Sequence, residues 1–152
     1  LDTLPAVAVE AFAGVSNVAV FAEIPAGATV LDLGCGAGLD ALIAARRVGP
    51  QGTVYGVDFS ERMLARARRA ADEAGVDNVV CHLANAERLP LPDGAADVAL
   101  VNGIFNLNPD RAAIFGELTR VVRPDGKVFG AELILAAPLP DAERTSATNW
   151  FA

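Results

Sequence analysis

Residues 30 to 45 read VLDLGCGAGLDALIAA, an apolar run that ends in three glycines on alternate positions, Gly34, Gly36 and Gly38, and then passes at once into a helix-like pattern. Glycine weakens strand and helix alike, so three of them at such a junction imply something that approaches the backbone too closely for a Cβ. A tight strand-to-helix turn without a ligand would need only one. Asp58 closes a second apolar run, TVYGVD, 24 residues after Gly34. Alone it would read as an ordinary strand-end or capping aspartate. After a glycine loop, a carboxylate at that distance accepts hydrogen bonds from both hydroxyls of a ribose. Loop and acid together point to an adenosine-containing cofactor.

The dinucleotide fingerprint spaces its glycines GxGxxG. Here the spacing is GxGxG, and Leu39 stands at the dinucleotide's third position. Asp32 precedes the loop by two residues. A carboxylate there repels a pyrophosphate and suits a cofactor that carries an ammonium or sulfonium. A nucleotide-dependent oxidoreductase is therefore the weaker reading.

Five apolar runs could be strands: TVLDL (29–33), TVYGVD (53–58), NVVCHL (78–83), DVALVN (97–102) and KVFGAELIL (127–135). Most are apolar on successive positions, as expected of strands buried on both faces. Helical patterns lie between them. In 60–74, Met63, Leu64, Ala67, Ala70, Ala71 and Ala74 repeat at helical spacing, with Ser60 as N-cap, Gly75 just past the end and an arginine-rich solvated face. In 109–122, Asn108 is the expected cap, Pro109 suits the first turn, and Ile114, Phe115, Leu118, Val121 and Val122 face inward. Pro124 and the following Asp125-Gly126 turn the chain into the last run. Strand–helix alternation predicts an α/β fold, a doubly wound, mostly parallel sheet with helices on both faces, and puts the glycines where such sheets bind ligands.

The chain has 152 residues, 53% of them hydrophobic, which fits one domain. A net charge of −7 repels phosphate backbones and argues against nucleic acid as a partner. Cys35 and Cys81 make neither a disulfide framework nor a metal spacing, so no metal and a reducing, cytoplasmic setting are expected. Residues 11–22, AFAGVSNVAVFA, are too short to span a bilayer, and no membrane association is expected; they read as a core-packing helix. The chain begins at Leu1 and ends TNWFA without a helix stop signal, as if cut from something longer.

From about residue 28 to 135 the sequence resembles the class I S-adenosylmethionine-dependent methyltransferases. VLDLGCGAG is similar to their first motif, VYGVDFS to the ribose-binding one, LANAERLPLPDGAADVALVNG to the segment leading into the fourth strand, and ELTRVVRPDGKV to the helix and turn before the fifth. The resemblance implies a Rossmann-like sheet and S-adenosylmethionine as cofactor, with S-adenosylhomocysteine as product. It also implies site residues. Gly34, Gly36 and Gly38 would line its amino-acid part, Asp58 its ribose, Phe59 and Met63 the faces of the adenine, and Asn85, Ala86 and Glu87 the adenine's edge, with Asp32 and Cys35 also among the cofactor-binding residues. Residues 1–27 would form a helical lead-in, 28–135 the cofactor domain and 136–152 a tail.

Within the class, GLD at 38–40, VNGIFNLNPDR at 101–111 and AELIL at 131–135 look most like the arsenite methyltransferase branch, and AFAGVSN (11–17) resembles its lead-in. That branch holds trivalent arsenic with cysteines. Val15 and Gly103 stand near two of those places, and a third would follow the end of this sequence. Cys35 and Cys81 fall elsewhere, so arsenic is not the expected substrate.

Methyl transfer from a sulfonium is an in-line displacement, in which a protein mainly aligns the groups and keeps water out. Asn102 and Asn106, at the end of the fourth strand, are the candidates to orient a small-molecule acceptor, Asn102 also bordering the cofactor; equally, both could satisfy loop backbone groups. His82, the one histidine, lies within a strand and reads as structural. Trp150 and Phe151 could wall a pocket but read rather as packing elements. A module that binds the cofactor without catalysis is the alternative function. The family's sheet normally continues past a fifth strand. Residues 136–152 have no strand pattern, so the fifth strand is expected to pair with a second copy, giving a homodimer, or to be covered by the tail through Trp150.

Overall fold

The computed structural model describes residues 4–134. Its elements are α1 (Ala6–Val9), α2 (Val18–Phe21), β1 (Thr29–Leu33), α3 (Leu39–Val48), β2 (Thr53–Asp58), α4 (Glu61–Ala74), β3 (Val79–Leu83), β4 (Ala96–Asn102), α5 (Arg111–Val121) and β5 (Val122–Ala131). The strands form one parallel sheet in the order β3-β2-β1-β4-β5. The chain therefore works outward from β1 on one side and then returns to build the other. β1 and β4 lie side by side at this reversal, where a doubly wound sheet opens a crevice beyond its carboxyl ends.

The unbroken apolar runs of the central strands follow from burial on two faces. Val30, Val98 and Leu100 pack with Ala41, Ala44, Ala45 and Val48 of α3 on one side. Leu31, Leu33, Ala99 and Val101, the alternate positions, pack with Ile114, Leu118 and Val121 of α5 on the other. Ser60 caps α4 through Met63 N–H, and Gly75 follows in the left-handed conformation. β3 and β5 stand at the two ends of the described sheet and are correspondingly half exposed, unlike the expected strands buried on both faces.

Four expectations need correction. Residues 11–22 are not one helix: only Val18–Phe21 is helical there, and residues 10–17 form an irregular strap between α1 and α2. Gly14, Ser16 and Asn17 interrupt the pattern, because glycine is conformationally costly in a helix and Ser and Asn bond to nearby backbone instead. Asp110, not Asn108, caps α5: its side chain accepts from Ala113 N at 3.1 Å, while Asn108 Oδ1 accepts from Asp110 N at 2.8 Å one step earlier. Phe115 points outward, 56% exposed, and stacks on Phe105 with centroids 4.7 Å apart. The last strand ends at Ala131, and its start is irregular: Val122 pairs with Ala96 and Lys127 with Val98, so residues 123–126 bulge out, with Asp125 at φ 65°. Trp150, Phe151 and the tail lie outside the described residues. Among the described residues no helix is long and apolar enough to cross a membrane.

Candidate cofactor site

Beyond the carboxyl ends of β1, β2 and β4 lies a cavity of about 520 Å³. The glycine loop, the end of β2, the segment after β3 and the loop after β4 supply its walls, and Phe12, Ala13 and Gly14 of the strap supply another.

The glycine loop is fastened to β2 rather than left open. Gly34 N and Cys35 N both donate to Val57 O, at 2.8 and 3.0 Å, Gly36 N donates to Asp58 Oδ2 at 2.9 Å, and Gly38 N to Cys35 O at 2.8 Å. These amides are spent within the protein, so the loop is no phosphate cradle of free N–H groups. What the glycines supply is shape. Gly34, Gly36 and Gly38 all have positive φ, at 75°, 53° and 86°. A Cβ on Gly34 would fall 2.4 Å from Ile104 Cγ2, whereas one on Gly36 would meet no atom within 4 Å. Gly36 borders the cavity and leaves its space for a ligand. Gly38 does not border the cavity; it starts α3, and a Cβ there would press on Ala67 of α4 at 3.1 Å.

Four carboxylates face the cavity, Asp32, Asp40, Asp58 and Glu87, and no Lys, Arg or His does so among the described residues. Asp58 bridges the loop to α4: Oδ2 takes Gly36 N, and Oδ1 takes Ser60 N at 2.8 Å. A carboxylate has about four acceptor sites, so capacity for ribose hydroxyls remains. Asp32 is 2% exposed, and its Oδ2 has no partner. Burial first, and then the nearby charge of Asp40, push its carboxyl well above the ordinary carboxylate range. An unpaired buried carboxylate is costly, and a cation in the cavity would relieve it.

Phe59 stands 77% exposed at the rim, and Met63, Asn85, Ala86 and Glu87 join the same cavity. Glu87 accepts from Asn108 Nδ2 at 2.6 Å, which links this end to the loop after β4. Cys35 is buried, and burial together with Asp32 pushes its thiol far up, so it is no nucleophile. Burial also raises Cys81, on β3 and away from the cavity.

The two asparagines are heavily engaged. Asn102 Oδ1 accepts from Val15 N at 2.8 Å and Ser16 N at 3.4 Å; its Nδ2 donates to Asp40 Oδ2 at 2.8 Å and to Ser16 O. Asn102 borders the cavity with its amide already fully bonded. Asn106 does not border it; its amide donates to Leu133 O. Both make the loop-bracing bonds that were the structural alternative. His82 lies against Tyr55, 5.7 Å between centroids, and outside the cavity.

Sequence reasoning missed the strap as a cavity wall and Asp40 as the partner of Asn102. Gly14 was the available signal: a glycine inside an apolar segment marks a close approach. Asp40 was visible only as an acid in the first turn of a helix.

The residues present fit S-adenosylmethionine on two observations: the orphaned oxygen of Asp32, which suits the cofactor's positive charge, and the open Cβ direction of Gly36. Comparison with known proteins agrees. The model of a methyltransferase domain family matches residues 24–151. An arsenite methyltransferase of Halobacterium salinarum is 39% identical over 128 residues, 84% of this chain and 33% of that protein. A demethylmenaquinone methyltransferase of Listeria welshimeri is 37% identical over 107 residues, 70% of this chain and 45% of that protein. Among solved structures, an arsenic(III) S-adenosylmethionine methyltransferase from Chlamydomonas reinhardtii superposes with a TM-score of 0.83 at 32% identity, over 93% of this chain and 50% of that one. The chain thus spans a third to a half of the length of these relatives.

Proposed function

The chain belongs to this methyltransferase domain family, and from that premise we propose that it transfers a methyl group from S-adenosylmethionine to a small-molecule acceptor by in-line displacement. The observation that carries the reading is the acidic cavity at the end of β1, where Asp32 keeps a buried oxygen without a partner. When bound, the cofactor supplies a methyl group already activated by a sulfonium. The protein's tasks are then to bind, to orient and to exclude water. Asp32 would take the cofactor's positive charge, Asp58 the ribose, and Phe59 and Met63 the adenine faces. Ile104 and Leu107, which border the cavity beyond β4, and Phe12 of the strap give the acceptor an apolar surround.

The relatives' names bear on the acceptor: the proteins of Halobacterium and Listeria are named for arsenite and for demethylmenaquinone, both small molecules. The two thiols, free among the described residues, support a reducing, cytoplasmic setting. A second reading, a module that binds the cofactor without catalysis, is favoured by the amide of Asn102, which is fully engaged and offers no free group to an acceptor. Calorimetry with S-adenosylhomocysteine and transfer of labelled methyl to a panel of neutral, anionic and thiol acceptors test the proposal. Binding with turnover supports it; binding without turnover on any acceptor selects the module; no binding overturns both.

A further inference from the structure

The hydrogen bonds that tie the strap to the body of the fold converge on one side chain. Ala8 of α1 is buried against Leu39, Ala70 and Ala71, and Val18 and Ala19 of α2 are buried at the other end, so the strap is anchored at both ends by apolar packing. Between these anchors, Val15 N, Ser16 N and Ser16 O all bond to the amide of Asn102 at the end of β4. Asp40, in the first turn of α3, fixes the orientation of that amide: Oδ2 accepts from Asn102 Nδ2, and Oδ1 accepts from Ala19 N at 2.8 Å. The approach is as close as a chain allows. A Cβ on Gly14 would fall 2.5 Å from Asn102 Nδ2, which real contacts do not permit. Gly14 has no positive φ, so closeness rather than backbone conformation calls for glycine here.

Phe12, Ala13 and Gly14, just before this junction, form a wall of the same cavity that Asp32 and Gly36 border. We propose that Asn102 is a positioning residue that clasps the strap over the cofactor, with Asp40 holding its amide in register, so that release of the clasp opens a wall of the site. The proposal rests on the cofactor reading above. It assigns Asn102 to retention of the cofactor rather than to orientation of the acceptor. The amide is the right group for this place. It offers two donors and two acceptor sites, and the strap with Asp40 presents two acceptors and two donors to it. A carboxylate at position 102 would keep the acceptors and oppose Asp40.

The test compares four proteins, wild type, Asn102→Asp, Asn102→Asp with Asp40→Asn, and Gly14→Ala, by the dissociation rate of S-adenosylhomocysteine and by amide hydrogen exchange over residues 10–17. Asn102→Asp is expected to release the ligand roughly tenfold faster or more, the size of one lost hydrogen bond to a charged group, and to lose protection in the strap. The double exchange returns a donor opposite the new carboxylate while Ser16 O stays without its own donor, so it is expected to recover part of both, which a nonspecific loss of stability would not do. Gly14→Ala leaves the amide chemically unaltered but presses on it at 2.5 Å and on Phe12 of the strap at 2.6 Å, and it is expected to speed release as well. It keeps the test decisive if Asn102→Asp does not fold. Unchanged release in both Asn102→Asp and Gly14→Ala, in a wild type that binds, overturns the clasp. Faster release that the double exchange does not slow at all overturns the role of Asp40. A wild type that takes up no S-adenosylhomocysteine overturns the cofactor reading beneath the proposal.

Discussion

Val15 and Gly103 are neighbours: a Cβ placed on Gly103 would stand 3.3 Å from Val15 Cγ2. They stand near two of the three places where resemblance to the arsenite branch calls for thiols, and the fold brings these two together with no thiol at either. The remaining cysteines do not replace them, since Cys35 is buried with its thiol pushed far up and Cys81 lies on β3. Trivalent arsenic is a soft centre that wants thiolates. Calorimetry is expected to show no stoichiometric arsenite binding at micromolar concentration, and Cys35→Ser with Cys81→Ser is expected to change nothing. Arsenite binding that disappears in that double variant would refute the expectation.

The loop glycines should separate by role. Gly36→Ala meets no atom of the protein and carries only its positive φ, a cost of about 1 kcal/mol, yet it occupies ligand space. Gly34→Ala meets Ile104 at 2.4 Å and should lose considerably more stability. Urea unfolding together with S-adenosylhomocysteine titration reads both effects: Gly36→Ala should fold and bind poorly, and equal stability loss in the two variants would contradict the assignment. Asp58→Ala should weaken binding by about 1.5–3 kcal/mol, the range for hydrogen bonds to a charged group.

Asp32 gives the site a pH dependence whose sign is fixed. Its carboxyl is raised above the ordinary 3.8 by burial and then by Asp40, with Asp58 adding to the effect and the backbone N–H of Ala41 opposing it. The native state then binds more protons than the unfolded state above pH 3.8, so stability falls as pH rises toward the raised native value and levels off beyond it. A bound cation favours the ionised form, so cofactor uptake should release a proton within that window, and affinity should increase with pH. Calorimetry in two buffers of different ionisation enthalpy measures the release. Asp32→Asn should bind more weakly and abolish it; proton release that persists in Asp32→Asn would place the linkage elsewhere.

Glu117 predicts the opposite slope. It accepts from Leu89 N at 2.6 Å and pairs with Arg120 at 2.7 Å, and these bonds, that from Arg120 foremost, hold its carboxyl down to about 2. Arg120 in turn donates to Leu89 O and Leu91 O, so the pair fastens the segment after Glu87 to α5. This contribution is complete above pH 4.5 and is lost as pH falls toward 2. Glu117→Gln should lower the urea midpoint at neutral pH and flatten its decline below pH 4.5; parallel curves for the two proteins would contradict it.

Local order was legible from the chain itself. The presence of five strands, the doubly wound class and the glycine loop followed from period and punctuation, because central strands buried on both faces must be largely apolar and a glycine-rich junction has few other uses, while the bounds of β5 and the exposure of β3 and β5 did not. The capping of α4 by Ser60 is equally local. The cap of α5 was misplaced on Asn108: its side chain takes Asp110 N in an Asx turn, and Asp110, two residues on, caps the helix.

What the sequence by itself determined is the fold and the class of cofactor: both rest on residues close together in the chain, whose spacing constrains local backbone geometry. What only the tertiary structure decided is which of those residues are free to act. Gly38 lies where a Cβ would press on Ala67 of α4 at 3.1 Å, and the amide of Asn106 is bonded to Leu133 O. Asn102 proved to be bonded to Val15, 87 residues away, and to Asp40, 62 residues away. No periodicity encodes such pairings, since they arise only when packing of the whole sheet brings the end of β4, the start of α3 and the strap to one point.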